Sequence, residues 1–215
     1  GLEGGTALAE VLFGDIAPSG KLPFTFPLKL EDSPAFALGN FPNGQAGADL
    51  FTMRYRKDVE QEARELTADD SFYSEGIFVG YRWFETKNIP VMYPFGHGLS
   101  YVDFEYGPLS CKTGRKAIKL SMEIENLGSM TADEVVQVYV RRPESSIERP
   151  FKELKAFQRV SLEAGERRKI SIDIPIEELR HWDIDTDDWS IERGAVEIFV
   201  GSSSADIRQK ISTSI

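Results

Sequence analysis

The chain has 215 residues, 41% hydrophobic and 28% charged, with a formal net charge of −10. That acidic balance excludes nonspecific nucleic-acid binding, which needs clustered Lys and Arg against phosphates. A single cysteine, Cys111, excludes an internal disulfide, and His97 and His181 stand far apart without Cys partners, which excludes a structural zinc site.

In chain order, residues 4–13, "GGTALAEVLF", read as a helix: Ala7, Leu8, Val11 and Leu12 recur at helical spacing, and Gly14 suits the left-handed position that closes a helix. The glycines do not have phosphate-loop spacing and no Lys follows them. "APSG" is a turn, and "KLPFTFP", residues 21–27, is an extended run expected to form a strand. One helix and one strand cannot bury both their faces, so this opening reads as part of an α/β domain whose other layers lie elsewhere. Residues 33–51, "SPAFALGNFPNGQAGADLF", read as a long loop, and 58–70, "DVEQEARELTADD", as a solvated charged stretch. "EGIFVGYRWFE", residues 75–85, is rich in β-branched and aromatic residues and reads as a strand; "YPFGHGLSY", 93–101, reads as a turn-rich connector. No apolar run approaches the roughly 18 residues that a spanning helix needs, and the compartment stays open because no targeting segment is legible.

From about residue 103 the pattern changes to period two. Ile118, Leu120, Met122 and Ile124 alternate with Lys119, Ser121 and Glu123, Val136, Val138 and Val140 with Gln137 and Tyr139, Ile170, Ile172 and Ile174 with Ser171 and Asp173, and Val196, Ile198 and Val200 with Glu197 and Phe199; Ile207, Ile211 and Ile215 mark a last strand. Turns such as "ENLGSM" and "LEAGE" separate the runs, so the chain is expected to be mainly β, ending in an antiparallel β-sandwich of six or seven short strands. On that pattern Val138 faces inward, Gln137 faces outward and tolerates Asp, and Trp182 in "PIEELRHWD" belongs to the core.

Four stretches, "EGGTALAEVLFGDIAPSGKLPFTFP", "YSEGIFVGYRWFE", "YPFGHGLSYVDFEY" and "DEVVQVYVRRPESSIERPFKELKAFQRVSLEAGE", together resemble the C-terminal part of glycoside hydrolase family 3 enzymes, chiefly β-glucosidases. The resemblance implies three parts: residues 1–30 as the end of an α/β sandwich domain, 31–105 as an interdomain tether, and 106–215 as a fibronectin type III-like, immunoglobulin-like β-sandwich able to fold alone. It implies partners as well: a barrel and the rest of the α/β sandwich domain, with a β-linked glycoside as substrate and no cofactor, nucleic acid or membrane. Retaining hydrolysis of such a substrate takes two carboxyl groups roughly 5 Å apart. The family carries its nucleophilic Asp in the barrel and its acid/base in the earlier part of the sandwich domain; neither motif occurs in this sequence, so no catalytic residue and no metal ligand is assigned. An independent carbohydrate-binding or protein-interaction sandwich is the alternative reading.

Glu75, Tyr81 and Trp83 are the candidates for substrate contact. Glu75 sits among aromatics that could raise its pKa, but its bland role is to pair with Arg82 or a backbone donor. Tyr81, Trp83 and Phe84 could stack on a pyranose or pack tether against sandwich. His97 in its glycine turn is expected to serve structure, and Cys111 to be an inert thiol on a strand face. The adjacent carboxylates Asp69 and Asp70, and Asp187 and Asp188, need not converge, because neighbours on a strand point to opposite faces.

Overall fold

The computed structural model describes residues 2–40 and 73–215. The expected solvated stretch at 58–70, with Asp69 and Asp70, lies outside them, as does the end of the loop read at 33–51. The elements in order are α1 (Gly4–Phe13), β1 (Phe26–Pro27), a 3-10 turn (Leu30–Asp32), α2 (Pro34–Ala37), α3 (Tyr81–Thr86), β2 (Val91–Tyr93), β3 (Phe104–Tyr106), β4 (Ser110–Thr113), β5 (Ala117–Asn126), β6 (Ala132–Arg141), β7 (Glu153–Leu162), β8 (Arg167–Pro175), a second 3-10 turn (Ile176–Leu179), β9 (His181–Asp183), β10 (Asp188–Ser190), β11 (Ala195–Gly201) and β12 (Ile207–Ser214).

The sandwich is the one the period-two pattern demands. One antiparallel sheet runs β12-β11-β6-β7. In the other, β5 pairs along one edge with β3 and β4 in succession and along the other with β8. The apolar residues of the alternating runs meet between the sheets: Ile118, Ile124, Val136, Val138, Ile174, Val196, Ile198 and Val200 are all wholly enclosed. Val102 and Phe104 join this core from the connector. The β5–β6 turn is held by Asn126, whose enclosed amide donates to Met130 O at 2.8 Å and Leu162 O at 3.1 Å and accepts from Gly128 N at 2.8 Å, so no buried polar atom is stranded at that corner.

The opening helix forms as expected, and Gly14 takes the left-handed conformation, its N–H returning to Val11 O at 3.1 Å. Four expectations are corrected. Residues 75–85 are not a strand: a turn leads into α3, entered through Gly80 at φ 59°, ψ −135°, a conformation open to glycine. Helical spacing puts Trp83 and Phe84 together on a buried face, and that packing overrides the β-propensity of the aromatics. Of residues 21–27 only Phe26–Pro27 form a strand, paired with β2. Residues 30–40 contain the first 3-10 turn and α2 rather than unbroken loop. Trp182 lies outside the core, half-exposed on the β9–β10 hairpin, edge-on to its cross-strand partner Trp189 at 5.7 Å. Asp187 and Asp188 are exposed at that hairpin.

The fifth correction matters most for function. Strand β6 is covered on both faces: Gln137 and Tyr139, on the face expected to meet solvent, are 3% and 0% exposed. Residues 81–97 lie over them. Val138→Asp is expected to destabilise the chain by about 4 kcal/mol, because it places an unpaired charge between the sheets. Gln137→Asp, mild on the sequence pattern, is now expected to cost about 3 kcal/mol, because a carboxylate cannot donate to the carbonyls that the amide serves. Urea denaturation of the two variants against the parent chain measures both, and a Gln137→Asp midpoint equal to that of the parent would refute the double coverage.

Candidate functional site

The cover over β6 is built mainly by α3 and the connector after β2. Tyr81 stacks on Phe95 at 4.7 Å and meets Tyr139 edge-on at 5.9 Å. Burial raises the pKa of both phenols, so both stay protonated. The Tyr139 hydroxyl donates to Gln137 Oε1 at 2.6 Å. The Gln137 amide then donates to Gly96 O at 3.1 Å and Ser202 O at 2.6 Å, joining connector, β6 and the β11–β12 turn. Gly96 is required there: it sits at φ 77°, and a Cβ would lie 2.0 Å from Gln137 Oε1.

From α3 a row of contacts reaches the start of β7. The Tyr81 hydroxyl accepts from Leu154 N and Thr86 Oγ1 accepts from Phe151 N, both at 2.8 Å. Arg82 pairs with Glu153 at 3.2 Å and Glu85 with Lys152 at 2.6 Å. Lys152 is 5% exposed, with its ammonium also over the Tyr139 and Phe151 rings at 5.5 and 5.3 Å. Its long apolar stem lets it enter the interface, and the carboxylate and two ring faces replace lost hydration.

This geometry places the sequence-derived candidates. Tyr81 and Trp83 share α3, but their rings are engaged: Tyr81 as above, and Trp83, buried, donating Nε1–H to Asp32 O at 3.0 Å. Phe84 is buried beside it. Glu75 lies just before α3 with one carboxylate oxygen buried and unpartnered. It does not pair with Arg82, which Glu153 takes instead. For His97, the carbonyl accepts from Leu22 N at 2.8 Å and the ring stacks on Tyr93 at 5.0 Å. Cys111 is half-buried on β4 against the core. The sequence reading missed Gln137, Tyr139, Glu85 and Lys152; the available signal was Lys152 between Phe151 and Glu153 in "RPFKELK", a charge amid a strand entry. Among the described residues no group of three or more His, Cys, Asp and Glu could hold a metal ion, and no helix is long and apolar enough to cross a membrane.

The opening segment behaves differently. No residue of α1 is buried, and Leu8, Leu12 and Phe13 are 59%, 68% and 85% exposed. Ile16, Phe24 and Leu28 extend the apolar surface. Yet the segment is anchored: Tyr101 OH donates to Val11 O at 2.6 Å, Leu22 exchanges backbone hydrogen bonds with Gly96 and His97, and Lys21 pairs with Glu134 at 3.0 Å. Apolar side chains are thus grouped at the surface on a segment that is itself held in place.

At the other end of β7's entry loop, Glu192 gathers the β6–β7 connection. Its carboxylate accepts from Ser145 Oγ at 2.7 Å, Ser146 N and Oγ at 2.8 Å, and Arg149 Nη2 at 2.9 Å. Burial alone would raise its pKa, but these donors outweigh it and hold the carboxyl at about 2 against an ordinary 4.5.

Two outcomes follow from these charges. Lys152→Met is expected to lower stability by about 3 kcal/mol by leaving Glu85 unpaired in the interface, and adding Glu85→Leu should recover part of that loss. Chemical denaturation of the single and double variants decides it. For Glu192 the carboxyl is depressed in the fold, so its contribution is complete above pH 4.5 and lost as pH falls through about 2. Glu192→Gln should therefore differ most from the parent chain above pH 4.5, the two stability curves converging as acid is added.

Comparison with known proteins places these features. Residues 1–81 match the glycosyl hydrolase family 3 C-terminal domain, and residues 134–204 match the fibronectin type III-like domain. Thermostable beta-glucosidase B of Acetivibrio thermocellus is 39% identical over 215 residues, covering 98% of this chain and 25% of the relative. The exo-alpha-(1->6)-L-arabinopyranosidase of Bifidobacterium longum is 35% identical over 216 residues, covering all of this chain and 25% of the relative. Among solved structures, the GH3 beta-glucosidase of Bifidobacterium adolescentis superposes with a TM-score of 0.82 at 35% identity, covering 99% of this chain and 28% of that one. Beta-glucosidase 3B of Thermotoga neapolitana, in complex with glucose, gives 0.81 at 35% identity, with 99% and 26% covered. The chain thus spans about a quarter of the length of the curated relatives it matches. It belongs to glycoside hydrolase family 3, and carries sequence of that family's C-terminal domain followed by a fibronectin type III-like domain.

Proposed function

We propose that the chain is the structural C-terminal portion of a retaining β-glycosidase acting on β-linked glucosides, and that it is inactive alone. In this reading residues 1–30 complete an α/β sandwich domain, 31–105 tether it, and 106–215 form the fibronectin type III-like module that holds the tether. The observation that carries the reading is the contrast between the two ends of the tether. Residues 81–97 pack on the sandwich through stacked rings, ion pairs and backbone hydrogen bonds, while the α1 surface is apolar and open. Burying a Leu, Ile or Phe side chain is worth roughly 1.5–3 kcal/mol each, so closing this surface supplies on the order of 10 kcal/mol, enough to dock a domain. The partner implied is the remainder of the α/β layer, together with the barrel that carries the nucleophile. The independent-module reading leaves the open α1 surface without a purpose.

Sugar specificity belongs to the partner domains in this proposal. The similarity extends at comparable identity to a β-glucosidase and to an arabinopyranosidase, which supports placing the choice of sugar outside the shared region.

The expected outcome is twofold. The purified chain does not hydrolyse aryl β-glucosides, and hydrogen exchange at residues 7–12 is fast in the dilute monomer and slows when a chain carrying the barrel and the rest of the α/β domain is added. Turnover by the chain alone that Glu75→Gln abolishes would overturn the proposal and make Glu75 catalytic. Strong protection at residues 7–12 in a verified monomer would show that the surface is already covered.

A further inference from the structure

The β9–β10 hairpin belongs to neither sheet of the sandwich. A two-stranded ribbon standing alone is marginal in water, and its aromatic side gains most from being turned to the body. Here the sides are reversed. Successive residues of a strand face opposite ways. His181 takes the inner side, where its Nδ1 meets Arg149 Nη2 at 3.3 Å, and its cross-strand partner Ser190 is partly covered with it. Trp182 and Trp189, opposite each other across the ribbon, take the outer side, and both are half-exposed. Ile184 follows, exposed at the tip. The two indoles meet at 85°, so they form a corner held by strand pairing rather than two loose side chains. Trp is among the residue types that most often carry the energy of an interface, and a pair of them turned outward on a body-anchored ribbon is placed for contact.

Charge narrows the occupant. The tip "DIDTDD", residues 183–188, carries four carboxylates and no Lys or Arg. Among the described residues none of the four has an ion partner; Asp183 accepts from Asp185 N at 3.0 Å and Asp188 from Trp189 N at 2.7 Å, both within the turn. A second copy brings the same carboxylates, and a nucleic acid or an anionic lipid surface brings phosphate, so charge opposes all three. The complement is a protein surface with Lys or Arg around an apolar centre. The contact already exists internally on one ring, where the Arg180 guanidinium lies over Trp189 at 5.5 Å. Position narrows the occupant further. The hairpin hangs from the end of β6, where Glu192 holds Ser145 and Ser146 and Arg149 meets His181. The α1 segment is anchored at the start of the same strand, Lys21 to Glu134. Strand β6 rises about 23 Å between Glu134 and Arg141. This chain covers 25% of a relative's length, so the domains proposed above as its partner are together about three times its size. A globule of that size is about 60 Å across, wide enough to reach both ends of β6.

We propose that the Trp182–Trp189 corner and its acidic tip are a second docking surface for the barrel and α/β domains of the same enzyme, seated on a basic patch with an apolar centre and separate from the α1 surface. The inference rests on the function proposed above, because it takes its occupant from it. The chain has three tryptophans, Trp83, Trp182 and Trp189, so 5-fluorotryptophan labelling gives three fluorine resonances, each assigned by its own Trp→Phe variant. In the free chain the Trp182 and Trp189 signals are expected to move between H2O and D2O, and that of buried Trp83 much less. Adding the unlabelled chain that carries the barrel and the rest of the α/β domain should remove the solvent sensitivity of Trp182 and Trp189 and leave Trp83 as it was. Trp182→Ala should weaken the complex at least tenfold with little change in the thermal midpoint of the free chain, since the ring is outside the core. The exposed pair Asp185→Asn and Asp187→Asn, made together, should weaken it about fivefold at low salt, and that difference should shrink at about 0.5 M salt, where surface charges are screened. A complex in which the two exposed signals keep their solvent sensitivity, or which the variants bind as well as the parent chain does, would overturn this inference and leave the proposed function standing. Failure of the parent chain to form any complex would overturn both. Loss of solvent sensitivity on concentrating the chain alone would assign the corner to a second copy, and loss on adding cellotetraose alone would assign it to a sugar; either result overturns the proposal.

Discussion

Burial of β6 on both faces is the constraint on which the rest of the structure depends. A sheet that meets solvent on one side can be read, and can fold, from alternation alone. Here the second face carries Gln137 and Tyr139, and enclosing them obliges the connector to bring Gly96 O to the amide and Tyr81 to the phenol. Once those partners are fixed, α3 must lie along the start of β7, and the path through residues 91–97 has little freedom. The first segment then follows, since Leu22 bonds to Gly96 and His97. A single strand thus organises three stretches of chain that are distant in sequence.

The fold was legible where one rule acted alone. The runs at Ile118–Ile124, Val136–Val140 and Val196–Val200 alternate because one side faces the other sheet, and the structure encloses that side. Gly14 was legible because a helix end has a local chemistry of its own. Legibility failed where an element answers to a surface far off in sequence. Period two marks Gln137 and Val138 as opposites, and nothing in the strand itself says that residues 81–97 cover the polar side. Trp83 and Phe84 have the composition of a strand and the packing of a helix. Trp182 is large and aromatic yet lies on a hairpin outside the core, paired with Trp189.

The candidate site shows the same division more sharply. Residue type singles out Glu75, Tyr81 and Trp83, and two of them do share α3, but with their rings already engaged in packing and hydrogen bonds. The residues that hold the junction, Lys152 and Glu85 among them, are of types that abound on any acidic soluble chain. Only their enclosure distinguishes them, and enclosure is a property of the assembled tertiary structure. The family resemblance carried further than residue chemistry because it rests on the order of four whole stretches rather than on any one side chain.

Where α3 meets β7, two of the contacts end on peptide nitrogens, those of Phe151 and Leu154, rather than on side chains. Peptide nitrogens are present whatever the side chain, except in proline. The registration of α3 on the sandwich is therefore written partly in a form that point substitution at positions 151 and 154, proline apart, leaves intact. Substitution of these side chains can therefore change what the strand entry meets while the angle between α3 and β7 keeps two of its fixings. What the packing asks of these two positions is the capacity to donate, and every amino acid but one supplies it.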